Sequence, residues 1–226
     1  MVLATVLLLA ACSNTTPQDN NITAINEQNE NPVSAQESNN SSEEIHYNLI
    51  SADWPVYKDV KELTNAGNVI VLGKITNISF DVLDRATAKP PTSDSETENC
   101  DLNTIYSVEV IKAYKGSSAE TVKVRMLGGL ESVYVKEQIA ALGDKANKGI
   151  PIMDGSPNLE IGQTYLFVLC QYSDTMPTLV NVQQGAYGID DPLAKDDYSY
   201  VSLKEIISSF GEDNWVAFES YKNALD

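Results

Sequence analysis

Histidine is almost missing from this chain: His46 is the only one in 226 residues. A multi-histidine zinc site within one chain is therefore excluded, and a Ser-His-Asp triad has a single imidazole to draw on. Cysteine is scarce as well, with Cys12, Cys100 and Cys170 making up all 3. No C-x-x-C, H-E-x-x-H, Walker loop or G-x-G-x-x-G occurs, which removes the common signatures for zinc, redox and nucleotide chemistry. Positive charge is short: 15 Lys and Arg stand against 32 Asp and Glu, for a formal charge of -17. Phosphate backbones are bound through a basic footprint, so nucleic acid is excluded as a partner. Direct docking on acidic lipids is disfavoured for the same reason. No apolar run approaches the roughly 20 residues that a membrane-spanning helix needs.

The longest apolar run, Val2 to Ala11, ends in Leu9-Ala10-Ala11-Cys12. It is the length of a signal-peptide hydrophobic region, roughly 7–15 residues. Its small-small-Cys ending resembles the lipobox of bacterial lipoproteins. That resemblance implies a signal peptide over residues 1–11 and a lipidated amino terminus at Cys12, with palmitate among its acyl chains. At ~0.8 kcal/mol per buried methylene, two or more chains anchor a protein stably. The basic stretch that usually opens a signal peptide is absent, which points to a translation start upstream of Met1. Residues 12–44 are Asn, Gln, Ser, Thr and Glu with no Lys or Arg. They cannot bury enough apolar surface to offset their ordering entropy, and six acidic residues extend them. We expect a disordered tether that holds residues 45–226 off the membrane, outside the cytoplasm. The Asn-, Ser-, Glu- and Ile-rich composition favours a Gram-positive source.

Residues 45–226 are enough for one well-buried domain. Val56, Val60 and Leu63 at helical spacing between Pro55 and Gly67 predict an opening helix. Val69 to Ile75 predicts a strand buried on both faces, running on through Ile78, Phe80 and Val82. Tyr106, Val108 and Val110 alternate with polar residues and predict a second strand. A third has Val122, Val124 and Met126 inward and Lys123 and Arg125 outward. Val135, Ile139 and Leu142 predict a helix stopped by Gly143. Asp144 to Asn158 reads as a long loop, as does Arg85 to Asp101 with its Pro90-Pro91. Thr164 to Tyr172 and Thr178 to Gln183 predict a fourth and fifth strand, and Gly185 to Ile189 continues the pairing. Ser202 and Glu205 form a capping box, and Gly211 separates that helix from a last one carrying Trp215, Phe218 and Tyr221. Short successive strands without strand-helix alternation predict a mainly β fold: a five-stranded antiparallel Greek-key barrel of the OB type with flanking helices.

Three segments carry a resemblance: Asn68 to Ile75, Tyr106 to Gly116 with its closing Lys-Gly, and Leu159 to Phe167 with its Gly-Gln-Thr-Tyr. Together they resemble the netrin-like module shared with tissue inhibitors of metalloproteinases, and many bacterial lipoproteins and secreted proteins. The resemblance implies the barrel. It does not extend to protease inhibition, which uses a free amino-terminal cysteine clamped by disulfides to chelate zinc. Here Cys12 is acylated on the lipobox reading and sits at the end of a tether.

Candidates for chemistry are few. Outside the cytoplasm Cys100 and Cys170 fit either a disulfide closing a long loop or two reduced thiols. The acidic pairs Asp190-Asp191 and Asp196-Asp197, with Asp154 and Glu160, are weak candidates for a metal site: carboxylates serve as Ca²⁺ ligands or as acid and base, though none matches an EF-hand. Tyr106, Tyr114, Tyr134, Tyr165 and Tyr187 fit either the lining of a groove or the core, where aromatic residues on strands usually sit. No cofactor and no catalytic residue is indicated. The expectation is a monomeric, non-enzymatic binding module for a cell-envelope protein or glycan. A carboxylate-based extracytoplasmic enzyme or a Ca²⁺-dependent binding protein is the alternative.

Overall fold

Residues 45–92, 98–116, 119–190 and 200–225 are described by a computed structural model. The signal segment, Cys12, the tether and Asp191, Asp196 and Asp197 lie outside the described residues. A short strand, β1 (Tyr47–Ile50), comes first, then a helix, α1 (Val60–Ala66). Asp59 opens α1 by accepting from the Glu62 N–H. The helix starts later than the spacing of Val56 predicts, because Gln184 bonds both the N–H and the C=O of Tyr57 and keeps that stretch extended.

Two long strands dominate, β2 (Val69–Asp84) and β3 (Cys100–Lys115), followed by β4 (Thr121–Leu127). The helix α2 (Val135–Leu142) and a 3-10 turn, Gly143–Lys148, lead to β5 (Ile150–Met153), which lies parallel to β1. This replaces the long loop expected over Asp144 to Asn158. Then come β6 (Thr164–Cys170), β7 (Thr178–Leu179) and β8 (Ala186–Gly188). The helices α3 (Leu203–Ser208) and α4 (Glu212–Asn223) complete the fold. The Ser202 and Glu205 capping box forms as predicted.

The order β2-β3-β4-β7-β6 closes on itself through the β2–β6 pairing, and β8 adds to the β7 edge of β6. The result is a mainly β, closed five-stranded barrel with a few helices. An all-antiparallel barrel was expected; the seam between β4 and β7 is parallel, at Arg125 and Thr178, so the barrel is mixed. Among the described residues no helix is long and apolar enough to cross a membrane.

Val69, Ile70, Val71 and Leu72 are all buried, and alternation along the strand divides them between two cores. Val69 and Val71 face the barrel interior with Tyr106, Val108 and Phe167. Ile70 and Leu72 pack outside it against Ile206, Trp215 and Phe218 of α3 and α4. The Lys-Gly that ends β3 has a job at this point. Lys115 Nζ donates to the carbonyls of Thr64 and Gly67, both at 2.7 Å, and so caps the C-terminus of α1. Gly116 has a φ of +79°, and a Cβ there would stand 2.3 Å from the Asn68 carbonyl.

Tyr106 is fully buried, and its hydroxyl has no partner among the described residues. Burial pushes this phenol far up and pushes Tyr114, packed on Phe210, to about 12. Below pH 10 both phenols are protonated in folded and unfolded chains alike. Above it the unfolded chain releases protons that the folded one retains, so stability is lost as pH rises from 10 through the folded values. Urea unfolding at pH 9, 10 and 11 is expected to show this loss. Tyr106→Phe is expected to shrink it and to stabilise the domain at pH 7, since it deletes an unsatisfied buried donor. An unchanged alkaline slope in that variant counts against this account.

Candidate functional site

Alternation along β4 sends Val122, Val124 and Met126 into the barrel, so Arg125 faces out, as its sequence position predicts. There it is only part-exposed. The 177–182 segment crosses beside it: the Arg125 N–H donates to the Pro177 carbonyl at 2.9 Å, and Thr178 pairs with it. The side chain lines a cavity of about 500 Å³ with Leu83, Asp84, Arg85, Asp101, Asn103, Met126, Leu127, Met153, Leu179, Asn181, Val182 and Trp54.

Two of these groups are orphaned. Arg125 Nε is buried without a partner, and Nη1 lies 3.5 Å from Asn103 Oδ1. That distance is at the outer limit of a hydrogen bond. Burial lowers the Arg125 pKa from its ordinary value, as expected of a cation left without a counter-charge. Trp54 Nε1 is likewise buried without a partner. The backbone beside Trp54 is held firmly. Asn181 Nδ2 donates to the Pro55 carbonyl at 2.8 Å, and the side chain of Gln184 makes two bonds to Tyr57, at 2.9 and 2.8 Å. Asn181 and Gln184 are themselves 0% and 1% exposed.

The carboxylates at the cavity are occupied. Asp101 takes a two-pronged bond from Arg85, at 2.6 and 2.9 Å. Asp84 accepts from the Thr87 N–H at 2.8 Å, the Thr87 hydroxyl at 2.9 Å and the Ala86 N–H at 3.1 Å. Those bonds hold Asp84 below the usual carboxylate range, led by the Thr87 backbone, which makes it a poor base. Among the described residues Arg125 forms no ion pair; the two that exist are Arg85–Asp101 and Lys89–Asp174.

A wider cleft, about 720 Å³, lies between the 129–134 loop and the 152–161 segment. Leu49, Val133, Tyr134 and Ile161 expose apolar surface around it. Its loop carries positive φ at Gly128, Ser132 and Tyr134 and is held from beneath by Gln138, which bonds the N–H and C=O of Leu130 and the C=O of Val133. Helical spacing assigned Val135, Ile139 and Leu142 to the inner face of α2. Leu142 is buried and Val135 packs beside it, but Ile139 is 41% exposed and Gln138 is the fully buried residue of the helix.

Of the other sequence candidates, Asp154 and Glu160 both line this wider cleft. Asp190 is exposed, and its carbonyl accepts from Lys222. It and Glu160 both lie close enough to Tyr165 to act on its hydroxyl, which burial in the first place pushes up. Among the described residues no group of three or more His, Cys, Asp and Glu is placed to hold a metal ion. Cys100 and Cys170 are not disulfide-bonded. Cys100 pairs with Asp84 at the far end of β2, while Cys170 follows Leu169, the partner of Val69 at its start. A disulfide needs Cα atoms within about 7 Å, which opposite ends of a 16-residue strand do not offer. The disulfide alternative is thereby corrected to two thiols, and Cys170 Sγ donates to the Ala66 carbonyl at 3.2 Å. Sequence reasoning missed Trp54, Arg125, Asn181 and Gln184. Only the lone Arg on an apolar-alternating strand hinted at them. No protein-family model and no curated protein matches the chain.

Proposed function

We propose that this protein is a lipid-anchored, extracytoplasmic binding module without enzymatic activity, carried by a barrel of the OB type. The lipobox-like Leu9 to Cys12 and the acidic, Lys- and Arg-free tether support the anchor. The strand order β2-β3-β4-β7-β6, its single parallel seam, and α2 between the third and fourth barrel strands support the OB reading. The three netrin-like segments fall side by side on β3, β2 and β6, which supports that kinship. In OB barrels the face of the second and third strands is a common binding surface. Here those strands are β3 and β4, whose residues Asn103 and Arg125 line the Trp54 cavity.

The observation that carries the binding reading is this cavity with two buried donors lacking acceptors, flanked by carboxylates already engaged. Such a site is built to hold a group and not to move protons. The test is native mass spectrometry of the chain from Ser13 onward, after incubation with cell-envelope extract, with and without Ca²⁺. A molecule or glycan retained at one per chain in both arms is the expected result. Retention only with Ca²⁺ favours the acidic-site alternative, and turnover of a substrate in the extract overturns the non-enzymatic reading.

A further inference from the structure

We propose that the Trp54 cavity takes the carboxylate end of a ligand. Arg125 and the Trp54 indole N–H bind the carboxylate, and Leu83, Leu127, Leu179 and Val182 receive an adjoining apolar group. The inference rests on the binding reading above and names its ligand class.

Arginine and tryptophan side chains only donate, so the group missing from both is an acceptor. A buried donor without an acceptor is unfavourable, and Arg125 and Trp54, which each carry one, line the same cavity, where a bound acceptor removes the penalty. One of the two is a cation with no ion pair among the described residues, so the acceptor that fits is anionic. The guanidinium edge formed by Nε and one Nη matches the two oxygens of a carboxylate. A dianion such as phosphate fits worse. A single uncompensated cation faces it, Asp84 and Asp101 stand at the same cavity, and the chain carries a formal charge of -17. The remaining walls are largely aliphatic and thioether side chains, which calls for an apolar group next to the charge. A free short-chain acid and the carboxyl end of a peptide share this chemistry.

Calorimetric titration of the chain from Ser13 onward separates these cases. The probes are hexanoate and N-acetyl-alanyl-leucine, each against its own amide, with inorganic phosphate as a further arm. At least one acid is expected to bind at one per chain while its amide does not. Hexanoate alone assigns a free acid, and the peptide alone assigns a chain end. Arg125→Met is expected to weaken binding at least about tenfold, the loss of one charge-assisted contact. Arg125→Lys is expected to fall between, since an ammonium cannot fork, and Trp54→Phe to lose a few-fold. Far-UV circular dichroism and the thermal midpoint of each variant report whether it folds. Should Arg125→Met not fold, the acid-against-amide comparison on the parent chain still decides. Equal binding of acid and amide, undiminished binding by a folded Arg125→Met, or phosphate binding tighter than either acid overturns the proposal. A chain that retains an envelope molecule yet binds neither acid overturns this ligand class and leaves the binding reading in place.

Discussion

Gly73→Val is expected to abolish the folded domain or to cost it about 4 kcal/mol or more, out of a total of roughly 5–15 for a domain of this kind. Gly73 lies inside β2, where the strand is paired on both edges, to Val110 of β3 and Tyr165 of β6. A register shift falls between Leu72 and Gly73, and there the backbone of β3 comes close. A Cβ at Gly73 would stand 2.4 Å from Val108 Cγ1 and 2.8 Å from the Glu109 carbonyl oxygen. The first contact is a buried side chain without room to turn, and the second is backbone. Relief therefore requires β2 and β3 to separate, and in a closed barrel that movement is passed to every other seam. Gly73→Ala meets the same two atoms without the extra methyls and is expected to lose less. Urea unfolding followed by circular dichroism reads both. A Gly73→Val chain within about 1 kcal/mol of the parent would show that the barrel gives way cheaply here.

The glycine was visible in the sequence as an interruption of an apolar strand, but its reason was not. The same division runs through the whole fold. Features written into neighbouring residues were legible: the doubly buried start of β2, the alternation of β4, the capping box before α3, the Gly211 break. Features that depend on what lies across in space were not. The Ile150-Pro151-Ile152-Met153 run looks like part of a loop, since Pro151 lacks an N–H, and it becomes a strand only because β1 lies beside it. Thr178 to Gln183 reads as a strand, yet the strand covers only Thr178–Leu179, with one further bond from the Val180 N–H to the Val168 carbonyl, because the Asn181 side chain turns the chain back by accepting from the N–H groups of Gln183 and Gln184. Arg125 is where this matters for function. Its position said outward, which on a surface strand means solvated. Segments distant in sequence, at Trp54 and Val182, line a cavity with it on that face, and its Nε is buried there. Amphipathic spacing failed at Gln138 for a related reason. A polar residue at an inner position is legible only if the polar backbone that it serves is known.

Gln138→Leu is therefore expected to destabilise the domain by roughly 3 kcal/mol, although leucine is the better core residue by hydropathy. The Gln138 amide meets three backbone groups of the turn before α2: it accepts from the Leu130 N–H at 2.9 Å and donates to the carbonyls of Leu130 and Val133 at 2.8 and 2.6 Å. Leucine fills the space but offers none of the three a partner; Gln138 itself has no exposed surface, while Leu130 is part-buried and Val133 is exposed. Gln138→Glu separates volume from hydrogen bonding. Glutamate keeps an acceptor for Leu130, but it can donate toward the carbonyls only when protonated. Its folded pKa is accordingly raised above the ordinary value of about 4.3. The stability of this variant is present below that value and is lost as pH rises through the folded pKa. Urea midpoints at pH 4 and pH 7 are expected to diverge for Gln138→Glu far more than for the parent or Gln138→Leu. The 130–133 turn also walls the 720 Å³ cleft, so its amides are expected to exchange hydrogen faster in both variants than the rest of the sheet does. Protection of Leu130 equal to that in the parent would mean that Gln138 only fills space, and that the strained φ values at Ser132 and Tyr134 are held by something else.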